Sequence, residues 1–326
     1  MRAFGYVRPR ATEEAVRAAA TPGAAYVAGG TELLNLMKDG VQAHDRLIDI
    51  NALPLNDIQV LPDRIRIGAL ARMAEVAAHP AVRTRTPVLA SALLNSASPQ
   101  IRNMAAIGGN LLQRNRCGYF RDSGFPCNKR QPGSGCPAQA GHNRMHALFG
   151  GSAHCVAVHA SDLAVSLQAL EATVLTQGAA GARRIAFAEL YRLPGDSPQV
   201  EHVLRPGELI TGVEVPTGAL AARSRYLKLR DRESFEFAVV SVAACLTQRG
   251  GRVREVRLAF GGVAPLPWRV PEAEAVLRGR PLDGPSLAAA ADAAVRGARP
   301  LAHNGFKVEL MRRALTGVLT ELGRQR

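Results

Sequence analysis

The sequence predicts an α+β protein built in two parts, with a boundary near residue 220. Three observations predict it. Up to that point, short β-prone runs alternate with helical stretches and are punctuated by paired glycines. From residue 225 the pattern changes to alternating apolar runs and then to three Ala- and Leu-rich helical stretches. Between residues 113 and 156 the hydrophobic periodicity disappears, and four of the five cysteines gather there.

The first part opens with a small α/β unit over residues 1–53. A helix over Thr12–Ala20 leads to a strand over Ala25–Ala28 and a turn at Gly29-Gly30. A helix over Thr31–Lys38 and a strand over Arg46–Ile50 follow. Residues 54–220 form a second subdomain. RIRIGAL (64–70) alternates as a strand does, whereas ARMAEVAAH and TPVLASALLNSAS are helical by period and propensity. IRNMAAIGGNLL reads as a second glycine turn. Pattern returns at 155–176 as a turn, a helix and a strand, and ELITGVEVP (208–216) is a strand closed by Pro216. In the second part, RYLKLR, FAVVSVAACLTQ and VREVRLAFGGVA predict a three-stranded antiparallel sheet, with Arg249-Gly250-Gly251 as a hairpin turn. Helices are expected over PEAEAVLRG, SLAAAADAAVRGA and residues 305–322.

At 326 residues, with 47% hydrophobic and 21% charged residues, the chain has the balance of a folded water-soluble protein. No run reaches the roughly 18 apolar residues of a membrane span. MRAFGYVRPRATEEA has neither the apolar core of a signal peptide nor a twin-arginine signal. The expectation is a cytoplasmic protein, or a periplasmic one co-exported with a signal-bearing partner. The net charge of +14 raises nucleic-acid binding as a possibility. The excess is almost all arginine, scattered rather than arrayed in a stripe with aromatics, which disfavours that class. A surface that meets acidic partner subunits is the sharper reading.

Cys117, Cys127, Cys136 and Cys155 are spaced C-x9-C-x8-C-x18-C. Four soft thiolates saturate an iron–sulfur cubane or a zinc ion. The spacing lacks the short paired knuckles of zinc sites, which favours the cluster over zinc, disulfides or free thiols. Gly118, Gly133 and Gly135 are candidate amide donors to cluster sulfurs. His142, His146 and His154 share the segment and read as neighbours of the site rather than ligands. Arg114, Arg116, Arg121, Lys129, Arg130 and Arg144 make it basic, a solvated loop or a dock for an acidic electron carrier. Cys245 lies in an apolar strand and reads as a core thiol.

AGGTELLNLMK (28–38) and AIGGNLLQ (106–113) each join two glycines to a Thr or Asn. Such turns expose N–H groups suited to a pyrophosphate, although neither is a GxGxxG fingerprint. Together with ASDLAVSLQALEA (160–172) and SPQIRNMAAIGGNL (98–111), they resemble the FAD-binding medium subunit of the molybdenum hydroxylases, the xanthine and carbon monoxide dehydrogenase family. RYLKLRDRESFEFAVVSVAA and FGGVAPLPWR resemble that family's C-terminal domain. The resemblance implies a two-part FAD-binding domain of the PCMH/vanillyl-alcohol-oxidase type over 1–220. A CO-dehydrogenase-flavoprotein-like C-terminal domain is implied over 221–326.

It also implies site residues. Tyr26, Val27, Ala28, Gly29, Gly30, Thr31, Glu32 and Leu33 fall on the first FAD loop. Ala106, Gly109, Asn110 and Gln113 fall on the second, with Ser96 and Ala97 ahead of it. Ala106 departs from the family's Ser or Thr and forfeits a side-chain hydrogen bond. Ser161 and Asp162 match a Ser-Asp pair whose Asp is expected on the ribityl or ribose. Ile210 matches an apolar contact, and Lys228 is a candidate cation near the ring, with an exposed strand lysine as the plain alternative.

The insert of about forty residues, spanning 113–156, resembles the variant with an additional [4Fe-4S] cluster, as in 4-hydroxybenzoyl-CoA reductase and, most nearly, periplasmic aldehyde oxidoreductases. The resemblance then implies an electron-transfer subunit with FAD and a [4Fe-4S] cluster on the four cysteines. Its partners would be a molybdenum-cofactor large subunit, which oxidises the substrate, and a small subunit with [2Fe-2S] clusters. The external acceptor would be a ferredoxin or quinone. No catalytic triad or acid–base pair is expected in this chain. The alternatives are a free-standing FAD reductase of the same fold and a basic Fe–S nucleic-acid-binding protein.

Overall fold

The computed structural model describes residues 1–324. Three sheets organise it. The first is parallel, in the order β1-β3-β2, with β1 (Gly5–Val7), β2 (Ala24–Val27) and β3 (Arg46–Asp49). The second is five-stranded and antiparallel. Its strands β4 (Ile58–Val60), β5 (Arg64–Gly68), β6 (Thr173–Gly178), β7 (Gly181–Ala186) and β8 (Leu209–Pro216) take the order β4-β5-β8-β6-β7. The third comprises β9 (Ser224–Leu229), β10 (Val240–Arg249), β11 (Arg252–Gly261) and β12 (Trp268–Arg269), ordered β12-β11-β10-β9. The expected three-stranded C-terminal sheet therefore has four strands. The two-residue β12 pairs Trp268 with Phe260 and is too short to leave a period in sequence.

Strand β10 shows why this sheet is buried on both sides. Val240, Val242, Ala244 and Leu246 face the helices Pro271–Leu277, Gly284–Ala294 and Phe306–Arg324. Ala243 and Cys245, one residue out of phase, face the opposite way. There they join a core with the helices Pro87–Leu94 and Asp162–Ala169 and the five-stranded sheet. Period-two alternation sends neighbours to opposite faces. Cys245 is fully buried, and burial pushes its thiol up to about 12. One core thus spans both parts of the chain.

Two segments depart locally from the expected pattern. The expected turn at IGGN is a short helix, Ile107–Leu111. Tertiary contact overrides the poor helix propensity of paired glycines: Ile107 N–H donates to Ala71 O and Gly108 N–H to Ala69 O, which dock the helix beside β5. A bulge also leaves Thr211 unpaired, because Leu175 faces Gly212 while Thr176 faces Ile210. The extra residue switches the strand's phase, so that Ile210, Val213 and Val215 share one core. Among the described residues no helix is long and apolar enough to cross a membrane.

Candidate functional site: a flavin-sized cleft beside a four-cysteine cavity

A cleft of about 720 Å³ opens where the three sheets meet, within the range of cofactor pockets. Residues 26–33 after β2 form one wall, and the segment from Ser96 to Gln113 forms another. Asp162, Ile210 and Lys228 close the floor, and Arg232, Phe235 and Phe237 come from the loop after β9. Every sequence-derived flavin residue lines this cleft except Ser161. Ser161 instead caps the helix Asp162–Ala169, accepting from Ala164 N–H at 3.0 Å and donating to Asn110 Oδ1 at 2.5 Å. Its part is to lock two cleft segments together.

Backbone detail fits the walls to a close-lying ligand. A Cβ on Gly29 would sit 2.0 Å from Met104 O, so the two glycine segments touch only because that residue has no side chain. A Cβ on Gly109 would meet nothing within 4 Å, which leaves its backbone open to the cleft. Ala97 holds φ +50°, a left-handed conformation that costs a non-glycine residue about 1 kcal/mol or more. His44 and His202 line the cleft, with His44 Nε2 and His202 Nδ1 buried and without a protein partner.

Lys228 is not exposed: its Nζ pairs with Asp162 Oδ2 at 2.7 Å and donates to Asn95 O at 3.0 Å. Asp162 also accepts from Ser96 Oγ at 3.0 Å and from Tyr226 Oη at 2.5 Å. Burial lifts the Tyr226 phenol well above its ordinary range, with the Asp162 charge adding to it. Asp162 is thus the hub of a satisfied buried network. Tyr226 is the residue that sequence reasoning missed, although its two-residue spacing from Lys228 puts both on one face of β9.

The four insert cysteines line one small cavity. None is disulfide-bonded. Burial pushes up the thiols of Cys117, to about 11, and of Cys136 and Cys155. Backbone N–H groups of Phe120 and Tyr119 oppose this at Cys117, those of Ala138, Val156 and Gln139 at Cys136, and that of Ala157 at Cys155. Of the glycine donors expected from sequence, Gly135 N–H donates to Asn128 Oδ1. His146 Nε2 lies 3.2 Å from Cys117 Sγ. Among the described residues no three His, Cys, Asp or Glu side chains converge closely enough for a single metal ion.

A third cavity, of about 160 Å³, adjoins both sites. It shares Arg116, Ala160 and Asp162 with the cleft and Cys117 and Ala157 with the cysteine cavity.

The basic residues of the insert are held internally. Arg116 and Arg121 pair with Glu32, Arg114 and Lys129 with Glu201, and Arg144 with Asp231. Arg130 donates to the carbonyls of Tyr119, Phe120 and Phe125. Apart from Arg130, whose partners lie inside the insert, these cations fasten the insert to the body. The Glu32 carboxylate, expected on the flavin loop, is turned to the insert.

Known proteins share this two-part architecture. Residues 2–218 match the family described as the FAD binding domain in molybdopterin dehydrogenase, and residues 225–322 match the CO dehydrogenase flavoprotein C-terminal domain. The chain is 45% identical to the aldehyde oxidoreductase FAD-binding subunit PaoB of Escherichia coli K12 over 98% of each chain. It is 27% identical to the carbon monoxide dehydrogenase medium chain of Hydrogenophaga pseudoflava over 90% of this chain and 86% of that one. Among solved structures, carbon monoxide dehydrogenase from Hydrogenophaga pseudoflava superimposes with a TM-score of 0.76 at 26% identity, covering 98% of this chain and 96% of that one.

Proposed function

Because the chain belongs to the FAD-binding subunits of the molybdopterin dehydrogenases, we propose that it is the FAD- and [4Fe-4S]-binding electron-transfer subunit of a molybdenum-dependent aldehyde oxidoreductase. The aldehyde class rests on the likeness to the Escherichia coli subunit. The single observation that carries the cluster is the cysteine cavity, with four free thiols around it.

Residues 28–31 and 106–110 would hold the pyrophosphate portion of FAD, and Ile210, Ser96 and Ala97 the flavin end. Cys117, Cys127, Cys136 and Cys155 would hold the cluster. When bound, the flavin takes up electrons singly or in pairs and the cluster carries one at a time. The chain's own work is positional. The Asp162–Lys228–Tyr226 network fixes the cleft floor. The loop with Phe235 and Phe237 lines one side of the cleft, and Ala160 and Arg116 line both the cleft and the cavity next to the cysteines. Residues 1–220 serve as the FAD-binding unit and 221–326 as the C-terminal unit that closes it.

On this reading a molybdenum-cofactor large subunit oxidises the substrate, and a [2Fe-2S] small subunit passes electrons here for delivery to a ferredoxin or quinone. The assembly works in the periplasm if a partner carries an export signal, and otherwise in the cytoplasm. Iron, acid-labile sulfide, zinc and flavin analysis of the purified complex tests the cofactors. Flavin with iron and sulfide supports the reading; stoichiometric zinc, or no flavin, overturns it.

A further inference from the structure

Glu32 stands at a junction that neither site requires by itself. It follows the Gly29-Gly30-Thr31 turn and lines the large cleft. Its carboxylate, though, is held by the cysteine insert. Arg116 reaches it with two nitrogens, Nη1 to Oε1 at 2.9 Å and Nη2 to Oε2 at 2.8 Å. Arg121 Nη2 reaches Oε1 at 2.5 Å, and Arg114 N–H donates to the same oxygen at 3.1 Å. The three side chains are roughly four-fifths buried, with side-chain exposures of 19% for Glu32, 26% for Arg116 and 21% for Arg121. Charge-assisted bonds at this depth are well shielded from solvent and fix orientation.

Both arginines are tied to the first cysteine. Arg116 precedes Cys117 in sequence, and Arg121 ends the short helix Gly118–Arg121 that begins after it. The Arg121 amide donates to Cys117 O at 3.0 Å, and Arg121 Nε donates to Asn115 O at 3.0 Å. Any shift of the chain around Cys117 therefore moves the groups that hold the glycine turn.

From this geometry we infer that Glu32 is a positioning residue that couples the two cofactor sites. Resting on the reading above, occupancy of the cysteine site holds Arg116 and Arg121 in place, and they hold the flavin loop. The coupling is reciprocal: each cofactor strengthens retention of the other by the same factor.

The test measures FAD affinity on the deflavinated, purified complex by fluorescence titration, with the iron of the cysteine site in place and after its removal by oxidation and chelation. The wild type is expected to bind FAD about tenfold more weakly once that iron is gone, an ordinary coupling strength. In Glu32→Gln that ratio is expected to fall close to one while iron content and the cluster's absorption are kept. Arg121→Gln, which breaks the clamp from a side chain that does not line the cleft, is expected to do the same. Arg121→Lys, which keeps the charge, is expected to restore part of the ratio. A general loss of packing would weaken FAD equally in both states and leave the ratio unchanged. An unchanged ratio in both Gln variants, or a wild-type ratio of one, overturns the coupling while leaving the cofactor reading intact. Equal iron in the wild type and in Cys136→Ser overturns the cluster reading and the coupling together.

Discussion

Gly109 and His146 make the sharpest demands on single side chains. Gly109 presents bare backbone to the cleft, with nothing within 4 Å of a built Cβ. Gly109→Val is expected to raise the FAD dissociation constant at least about tenfold through steric exclusion, while shifting Tm by less than about 2 °C, since no packed atom is displaced. Fluorescence titration beside a thermal melt checks both halves. His146 stands 3.2 Å from Cys117 Sγ and is buried. Burial first, and then the Lys307 charge, hold its imidazole neutral, with a pKa of about 4. On the proposed cluster reading the Cys117 sulfur would only accept, and Nε2 would carry the proton and donate. Hydrogen bonds to cluster sulfur favour the reduced form. One bond of about 1 kcal/mol corresponds to about 40 mV in a one-electron couple. His146→Leu is expected to lower the cluster midpoint potential by about that amount with iron content unchanged, as read by redox titration.

Among the elements, the long helix Phe306–Arg324 has an unusual anchor at its start. Lys307 is fully buried and donates from Nζ to His146 O at 3.0 Å and to Gly262 O at 2.5 Å. It thereby ties the last helix to the insert and to the end of β11. Burial, followed by the Arg144 charge, depresses its pKa from 10.5 to about 7. Between about pH 7 and 10.5 the unfolded chain then binds a proton that the folded chain lacks, so this group makes stability rise with pH across that window. The slope is at most about 1.4 kcal/mol per pH unit. Lys307→Met is expected to flatten this rise, visible as the difference between wild-type and variant urea-denaturation curves at pH 7 and 9. A parallel pair of pH profiles would contradict it.

The long, strongly periodic elements were legible from sequence, among them β10, β11 and the last three helices. The glycine motifs and cysteines were legible as well, because positive φ, close backbone approach and thiolate chemistry restrict which residue can serve. Elements of two or three residues, such as β1, β4 and β12, left no period to read. The IGGN helix ran against propensity and depends on amides donated to Ala69 and Ala71, contacts invisible in a linear chain. Glu201 and Asp231 gave no motif, yet they decide where the insert's cations point. The basic composition of the insert read as surface because carboxylates distant in sequence could not be paired with it.

For the whole molecule, the two family units share one core. Tyr226, Ala243, Cys245 and Ala259 from the third sheet pack with Leu89, Leu93 and Leu167 of the first part. The insert adds to the bond: Phe149 stacks on Trp268 with ring centroids 5.3 Å apart, and Leu148 and Phe149 N–H both donate to Val263 O. A core common to both units couples their unfolding. Calorimetry is expected to show one cooperative transition for this chain; two well-separated transitions would contradict a shared core. The smaller cavity beside the cleft shares lining residues with both the cleft and the cysteine cavity.

Whether the four insert cysteines hold a cubane beside the flavin is tested most directly by the iron content of the purified complex with and without Cys136→Ser. The substitution is expected to remove about four iron atoms and about four sulfides per flavin, the content of one cubane, and to leave the flavin bound. Equal iron in the two proteins, or zinc in place of iron in the wild type, would contradict it.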